Sequence, residues 1–489
     1  DVVAVVGANC LRYLMIDVAV GLIGAVSCPI YVTSPIGEIN KVLTETKAKL
    51  LFVGATNILK DIDAVSTDIP IVKFNQQPPN TSAKRVISWE KFLTHAQTTD
   101  ESAVFAPVGF DDLATIRYTY GSTGNPKGAC LEHGNLRFVA EALASNFPWK
   151  TKTTTASYLS FLPMNHVAEG VTATYSPYFV PAALDIYFLA DFNNLQKALR
   201  LAKPTVFFCI PRFYEKLWTA IASNGLGQQY LSAKRGVKKR WLRRVLRVGA
   251  LRKAGLSRCS QMIVGAACSS EVLLKNFKEL GIEVHNAYGL SEAPLVAMNK
   301  LGANTVDTVG FPLAKTQFHI DAEGEVLVKG PQVMRGYLNR AGEQPFRKGW
   351  FATGDIGELT AEGRLRILGR KKNIIVTSYG KKIPVDRIEA TFKGLPFVRE
   401  CLVVGENKPF CSALFWVAQE KAEYKPLIEA AIEKVNANLE HPAQIKRYLI
   451  LASPSVEQGT GALKSKRQEL LKKFENTIES IYIEAKTTD

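Results

Sequence analysis

Short runs of β-branched and aromatic residues alternate with helical stretches from Val2 to about Ile210, and the same rhythm returns after residue 260. Alternation of this kind favours parallel sheets covered by helices, because two parallel strands need a crossover between them. The runs that indicate strands are VVAVVG, KLLFVGA, PIVKF, TIRYTYG, ASYLSFLP, AALDIYFLA, PTVFFCI, QMIVGAACSS and IEVHNAYG. The sequence therefore predicts a large N-terminal region of layered α/β subdomains.

The pattern changes after Thr305 to short strands and glycine turns, in EGEVLVKGP, GELTAEG and RLRILG. Such segments are typical of hairpins and predict a small barrel-like β subdomain. From Gly369 onward, two strand-like runs, two helical stretches and one long Lys- and Glu-rich terminal helix predict a small α+β domain. Because 489 residues exceed the size at which one core stops growing, we expect two domains, 1–368 and 369–489.

The net charge of +16 is concentrated in one segment, since no Asp or Glu occurs between Lys216 and Ser270. Apolar residues recur among the cations at helical spacing, so the segment 234–258 predicts an amphipathic basic helix that lies on an anionic membrane or meets an acidic partner. A helix packed by its apolar stripe, with an ordinary solvated face, explains the pattern equally well. Nucleic acid is not expected, because no recognition motif accompanies the cations. The cations are Lys234, Arg235, Lys238, Lys239, Arg240, Arg243, Arg244, Arg247, Arg252, Lys253 and Arg258.

The eight cysteines are scattered and form no CxxC pair, which indicates a reducing, cytoplasmic setting. The longest apolar stretch, Met15 to Val32, is interrupted by Asp17 and predicts a buried helix that runs into a strand rather than a membrane span. We find no signal peptide. The sequence opens directly on a strand-like run, so we expect further residues before Asp1 in the natural protein.

The strongest chemical signal is the segment Tyr118–Gly128, which follows an apolar strand and reads YTYGSTGNPKG. Its glycines, hydroxyls and lysine can wrap a polyphosphate, because backbone N–H groups and a point charge both favour anions. It is not a Walker A loop, which needs Gly directly before the Lys. A Gly/Ser turn without a ligand remains the alternative. The candidate phosphate-binding residues are Thr119, Gly121, Ser122, Thr123, Gly124 and Lys127.

This loop resembles the YTSGTTGxPKG signature of the acyl-activating, AMP-forming (adenylate-forming) superfamily. Further segments follow in the family's order over nearly the whole chain, and the KPT…VPR stretch is most like that of long-chain fatty acid–CoA ligases. The segments are LPMNH (162–166) for LPLxH, KPT (203–205) with IPR (210–212), GAA (265–267) for the GGAP-like turn, YGLSE (288–292) for YGxTE, and GWFATGD (349–355) for GWxxTGD.

The resemblance implies ATP, Mg²⁺ and coenzyme A as ligands, and it assigns roles to residues. Glu292 is expected to hold Mg²⁺, Ser291 to donate to the α-phosphate and Tyr288 to stack on adenine, with Gly265 and Gly289 beside the nucleotide. Asp355 is expected to accept bonds from both ribose hydroxyls, with Arg370 nearby, and His166 to lie beside the substrate carboxylate. Without the family, Asp355 reads as a turn-capping residue and His166 as a satisfied, partly buried histidine.

The C-terminal segment GTGALKSKR (459–467) resembles the family's PTxK loop, so Lys464 is expected to stabilise charge during adenylation. A lysine in such a Lys-rich tail would otherwise read as a surface charge. The resemblance also implies a small, mobile C-terminal domain with a hinge at Gly369, and Gly380 in a loop that admits the thiol. Tyr120, where the family has Ser or Thr, is the main departure.

Three functions fit these features. The first is activation of a medium- to long-chain fatty acid through an acyl-adenylate, with transfer to coenzyme A. The second is an acyl-adenylate ligase that loads an acyl carrier protein, although only thirteen residues separate Asp355 from Gly369 and leave no hinge insertion. The third is a catalytically weak, membrane-associated protein that binds nucleotide or acyl chains, with Tyr120 as a sign of decay.

Overall fold

The structure is a computed structural model. It describes residues 1–65, 68–75, 86–96, 105, 107–119, 126–146, 155–170, 175, 179, 182–340, 342, 344–395, 397–417, 423–437, 439–452 and 466–483.

The first part of the chain builds an eight-stranded sheet in the order β17-β7-β6-β2-β1-β3-β4-β5. The six strands from β6 to β5 in this order are all parallel to their neighbours. Strand β7 is antiparallel to both β6 and β17. The predicted parallel α/β layering is therefore confirmed, with an antiparallel edge. Its elements are β1 (Val2–Val6), α1 (Leu11–Leu22), β2 (Val26–Ile30), α2 (Ile36–Thr46), β3 (Leu50–Val53), α3 (Thr56–Lys60), β4 (Ile71–Lys73), β5 (Val86–Ser88), α4 (Trp89–Ala96), β6 (Leu113–Thr119), β7 (Lys127–Glu132) and α5 (His133–Ser145), with β17 given below.

A second, five-stranded sheet runs β10-β11-β12-β13-β14, with its first three strands parallel, and β8 pairs with β9 separately. Sequence signals set its helix ends: Pro211 begins α8, and the Ser270 hydroxyl caps α11 by accepting from the Leu273 N–H. The elements are β8 (Ala156–Ser160), α6 (Val167–Glu169), β9 (Leu184–Phe188), α7 (Leu195–Ala202), β10 (Val206–Cys209), α8 (Pro211–Ala222), α9 (Gly225–Ser232), α10 (Val237–Ala254), β11 (Gln261–Val264), α11 (Glu271–Leu280), β12 (Val284–Leu290), β13 (Ala293–Met298) and β14 (Phe311–Pro312).

The predicted β subdomain is an antiparallel sheet in the order β15-β16-β19-β18, with β20 on the far part of β19. Gly324, Gly349 and Gly363 lie in the turns of its three hairpins with positive φ, and those at Gly324 and Gly363 are glycine turns that the sequence predicts. Its strands are β15 (Gln317–Ile320), β16 (Glu325–Lys329), β18 (Phe346–Arg347), β19 (Trp350–Leu359) and β20 (Leu365–Arg370), while β17 (Gly336–Tyr337) crosses to the first sheet.

The last part of the chain packs helices against the sheet β23-β24-β25. The prediction of one long terminal helix is wrong. The helix is divided at Phe474, between Lys473 and Glu475, although backbone hydrogen bonds still run from Phe474 to Leu470 and from Ile478 to Phe474. The Phe474 ring packs 5.1 Å from that of Trp416. The elements are β21 (Ile374–Val376), β22 (Lys382–Pro384), α12 (Val385–Lys393), β23 (Val398–Val404), β24 (Cys411–Val417), α13 (Tyr424–Asn436), β25 (Ile445–Ala452), α14 (Lys466–Lys473) and α15 (Glu475–Ile483); short 3₁₀ helices span Ile62–Ala64, Phe192–Asn194, Lys371–Asn373 and His441–Ala443.

Two hydrophobic clusters draw all their buried members from residues after Ile374, with Phe392 and Phe415 at the centre of one and Trp416 in the other. The N-terminal sheets have clusters of their own. The domain boundary at Leu368/Gly369 stays a prediction.

Helix α1 corresponds to the apolar stretch that the sequence identifies, and it runs into β2 as expected. It is not a buried helix, however. Tyr13 and Ile16 face the core, while Leu11 and Met15 on the opposite face are 59% and 49% exposed. Among the described residues, the helices are too short or too polar to cross a bilayer. Each of the eight cysteines is a free thiol.

Candidate active site

A cleft of about 2370 Å³ collects most of the predicted site residues. It lies where β10, β11 and β12 end, because the carboxyl ends of neighbouring parallel strands meet at one edge of a sheet. The structure thus brings together side chains from motifs far apart in the sequence. The predicted residues that line the cleft are Thr119, His166, Gly265, Tyr288, Gly289, Ser291, Glu292, Asp355 and Arg370.

Asp355 is the centre of a buried polar group in this cleft. The Tyr288 hydroxyl donates to Oδ2 of Asp355 at 2.6 Å, and Nε of Arg370 pairs with Oδ1 at 2.8 Å. The antiparallel register of β19 and β20 places Asp355 directly opposite Arg370. Burial, and then the charge of Asp355, raise the pKa of Tyr288 well above its usual value, so its hydroxyl stays a donor. Because each carboxylate oxygen accepts more than one bond, Asp355 can accept further donors in this fixed orientation.

Glu292 lies on another wall of the cleft, where its Oε1 accepts a 2.7 Å bond from the Tyr337 hydroxyl. Burial, and then Glu292, raise the pKa of Tyr337. The Nζ of Lys127 lies 5.2 Å from the centre of the Tyr337 ring, within cation–π distance, so Tyr337 stands between the lysine of the phosphate loop and Glu292. Sequence reasoning missed Tyr337, because nothing in its segment MRGYLN carries a chemical pattern.

His166 is exposed at the wall of the cleft and begins the short helix α6, where its Nδ1 accepts from the Ala168 N–H at 3.4 Å. Thr119 closes the base of the phosphate loop, since its hydroxyl donates to the Lys127 carbonyl at 3.3 Å. His166 approaches the cleft from the turn after β8, and Thr119 approaches it from the end of β6.

Other predicted residues lie elsewhere. Gly121, Ser122, Thr123 and Gly124, together with Tyr120 and Lys464, fall outside the described residues. Gly380 lies in an exposed turn between β21 and β22 and does not line the cleft in this arrangement of the chain.

The C-terminal part of the chain closes one side of the cleft with α12 and the start of α14. Arg387 of α12 pairs with Glu271 of α11 at 3.3 Å. Arg467, three residues after Lys464, pairs with the buried Glu389 and donates to the Val403 carbonyl at 2.7 Å. The residue that follows the Lys464 segment is therefore tied firmly to the core of the C-terminal part.

Apolar residues of α7, α8, α9 and α10 line an arm of the cleft. Sequence reasoning did not place this arm, because its residues come from four helices and form no continuous motif. Its walls include Leu195, Leu199, Phe213, Leu217, Ile221, Leu226, Val245, Gly249 and Ala250.

The AMP-binding enzyme family matches residues 1–338, and the AMP-binding enzyme C-terminal domain matches residues 372–486. The long-chain-fatty-acid–CoA ligase FadD15 of Mycobacterium bovis is 28% identical over 539 residues, covering 99% of this chain and 88% of that protein. The peroxisomal long chain acyl-CoA synthetase 6 of Arabidopsis thaliana is 27% identical and covers 98% of this chain and 77% of its own length.

Among solved structures, the A domain of a carboxylic acid reductase from Segniliparus rugosus, in complex with AMP and a co-purified carboxylic acid, superposes with a TM-score of 0.77. It is 18% identical and covers 99% of this chain and 83% of that one, which supports the fold. With the family match extending over far more than half of the sequence, the chain belongs to the AMP-binding enzymes, the adenylate-forming superfamily that its motifs resemble.

Proposed function

We propose that the chain activates a medium- to long-chain fatty acid with ATP, through an acyl-adenylate, and transfers the acyl group to coenzyme A, releasing AMP and pyrophosphate. One observation carries this proposal: a single cleft combines the fixed Tyr288–Asp355–Arg370 group with an apolar arm. The names of the relatives, a long-chain-fatty-acid–CoA ligase and a long chain acyl-CoA synthetase, support it.

The first half-reaction is displacement at the α-phosphorus of ATP by a carboxylate oxygen. A fatty carboxylate is already ionised at neutral pH, so this step needs orientation and charge stabilisation rather than a general base. Asp355 accepts from the ribose hydroxyls, with its position held by Tyr288 and Arg370. Tyr288 also offers a ring face to adenine, beside Gly265 and Gly289.

Ser291 would donate to the α-phosphate. Glu292 would hold Mg²⁺, because it lines the cleft and its carboxylate oxygens are the ligand type that this ion prefers. When bound there, Mg²⁺ neutralises phosphate charge. His166 borders the substrate carboxylate. Thr119 and Lys127, with Gly121, Ser122, Thr123 and Gly124, bind the pyrophosphate portion, and Lys464 stabilises the charge that develops during adenylation.

The second half-reaction needs a thiol at the acyl-adenylate. We propose that domain 369–489 rotates about Gly369 for this step and brings Gly380 to the cleft. Coenzyme A is the proposed thiol. An acyl carrier protein is the alternative acceptor, and a weak nucleotide- or acyl-binding protein is the alternative of another class.

Pyrophosphate release from ATP with fatty acids of graded length, with and without coenzyme A, tests the proposal. We expect acid-dependent release that coenzyme A stimulates. Glu292→Gln should lower the rate on the order of a hundredfold, and Lys464→Ala should lower it similarly. Glu358→Gln, at an exposed carboxylate that pairs with Arg366, is the matched control for Glu292 and should leave the rate unchanged. Release without coenzyme A stimulation would favour a carrier protein, and absence of release with every acid would refute the enzyme.

We also propose that α10 docks on an anionic membrane. Leu242 and Leu246 pack into the core, but Val237, Trp241 and Val248 are 84%, 59% and 46% exposed among the cations of this helix. Cations near an anionic lipid surface contribute about 1 kcal/mol each, and an exposed Trp suits the interface.

Cosedimentation with phosphatidylcholine vesicles, with and without phosphatidylserine, tests this docking. Binding should require the anionic lipid and fall in Trp241→Ala, while Leu427→Ala, at an apolar residue on α13 that is 51% exposed, should bind like wild type. Equal binding by the two variants would contradict the proposal.

A further inference from the structure

The turn that carries His166 is held from behind by a buried arginine. Arg117 belongs to β6, two residues before Thr119, and is only 2% exposed. Its Nη1 donates to the carbonyl oxygens of Met164 and Asn165, at 2.9 and 3.1 Å. These two carbonyls directly precede His166 in the chain. Arg117 therefore joins the strand that leads into the phosphate loop to the turn at the opposite wall of the cleft.

Other buried side chains also hold the segment around His166, but their hydrogen bonds do not reach β6, the strand that leads into the phosphate loop. Asn9 donates to the Ser160 hydroxyl and the Leu162 carbonyl, at 2.9 and 2.8 Å. Tyr158 donates to Glu169 at 2.8 Å on the far side of His166. With both ends of the segment fixed in this way, the position of the middle depends on Arg117.

The surrounding chain makes room for the guanidinium. A Cβ on Gly170 would lie 2.5 Å from both Nη1 and Nη2 of Arg117, which is closer than real Cβ atoms approach other atoms. Burying a cation is unfavourable, and its Nε has no hydrogen-bond partner among the described residues. An apolar side chain would fill the same space at a lower cost in stability, so packing alone does not account for an arginine here.

We propose that Arg117 is a positioning residue for the acid-binding wall of the cleft. By fixing the carbonyls of Met164 and Asn165 relative to β6, it sets the distance between His166 and Thr119 at the end of that strand. The substrate carboxylate must approach the α-phosphorus along this line. The inference rests on the proposed acyl-adenylate function and adds a residue that touches neither substrate.

Steady-state pyrophosphate release by the full chain tests the proposal, with fatty acid and ATP varied separately. The variants are Arg117→Met, Arg117→Lys and Gly170→Ala; the last keeps the arginine but pushes its guanidinium away. Asn436→Leu, which removes two partly buried hydrogen bonds to Ile445 in the C-terminal part, is the control for lost stability. The thermal midpoint of each variant is measured first, and kinetics and AMP affinity are then measured at temperatures well below the lowest midpoint.

We expect Arg117→Met and Gly170→Ala to raise the KM for fatty acid and lower kcat, with a combined loss on the order of a hundredfold, because small misplacements of a reacting group cost about that much. Arg117→Lys should recover part of the loss. AMP affinity should change less than threefold, since Asp355 and its partners are untouched. Wild-type kinetics in Arg117→Met, or losses that follow the thermal midpoint as in Asn436→Leu, would overturn the positioning role. If the wild-type protein releases no pyrophosphate in response to fatty acid, the proposed function itself is refuted.

Discussion

Tyr288 and Asp355, which belong to two different sheets, meet across a hydrogen bond of 2.6 Å. The bond orients the carboxylate before any nucleotide arrives. Preorganisation of this kind lowers the cost of binding, because the acceptor does not have to be ordered at that moment.

Tyr288→Phe tests this relationship, since it keeps the ring and removes only the donor. A hydrogen bond to a charged group contributes about 1.5–3 kcal/mol, so we expect the KM for ATP to rise by about tenfold or more, with a smaller change in the KM for fatty acid. Initial rates at varied ATP measure this. Tyr482→Phe, which removes a buried hydroxyl bonded to the Val404 and Phe410 carbonyls, is the control and should retain the wild-type KM. Equal behaviour of the two variants would contradict the assignment.

Glu169 predicts a pH dependence of stability. Complete burial raises its pKa from 4.5 to about 7, although Tyr158 and Ser160 favour the ionised form. Because the folded pKa lies above the unfolded one, its contribution to stability is fully present below pH 4.5 and is lost as pH rises through about 7. The loss reaches about 3 kcal/mol above pH 7. Glu169→Gln should lack this pH dependence of the free energy of unfolding.

Urea unfolding at pH 5 and pH 8.5 measures the free energy of unfolding of both proteins. Glu169→Gln should gain stability relative to wild type at the higher pH, whereas Glu358→Gln, at an exposed carboxylate, should follow wild type throughout. A constant difference between Glu169→Gln and wild type across this range would show that Glu169 ionises normally.

Residue 369 is a glycine whose missing Cβ leaves room for the Asp386 side chain. A Cβ at residue 369 would lie 2.8 Å from Oδ2 of Asp386, which accepts the Arg370 N–H at 2.6 Å, while Oδ1 accepts from Asn373 at 2.8 Å. Gly369→Ala should therefore loosen α12 from β20, with a destabilisation of about 1–3 kcal/mol as in other overpacked sites. Limited proteolysis between residues 369 and 373 should be faster. Gly225→Ala, where a Cβ meets open space, is the control, and identical proteolysis of the two would refute the argument.

A larger side chain at residue 249 should change which acyl chain lengths the protein prefers. Gly249 lines the apolar arm, and a Cβ built on it meets nothing within 4 Å, so a larger side chain can occupy the arm without disturbing α10. Gly249→Phe should lower kcat/KM for the longest acids relative to medium-length acids by about tenfold or more, since each methylene in an apolar pocket contributes 1–3 kcal/mol. Gly225→Phe, outside the arm, should leave the ratio as in wild type. An unchanged ratio in Gly249→Phe would place the acyl chain elsewhere.

Several motifs located the cleft because they lie at or just after the ends of β6, β11 and β12, and strand ends meet at one edge of a sheet, whereas GWFATGD lies along β19. The roles of Asp355 and Glu292 came from the family's motifs, since by residue type alone Asp355 reads as a turn-capping residue, whereas the structure places it inside β19. Tyr337 and Arg117 could not be identified, because their contacts depend on register between distant strands. The division of the terminal helix could not be predicted either, because helical periodicity continues through Phe474, where the structure separates α14 from α15.

The late position of β17 in the sequence affects how the chain folds during its synthesis. Residues Gly336 and Tyr337 of this strand pair with Cys130 and Ala129, so the edge of the first sheet closes only after a long stretch of later sequence has been synthesised. Until then β7 exposes an unpaired edge, which is a template for association with other chains. Contacts of such long range also slow folding. A translation product that stops before residue 336 should therefore aggregate rather than persist as a folded fragment.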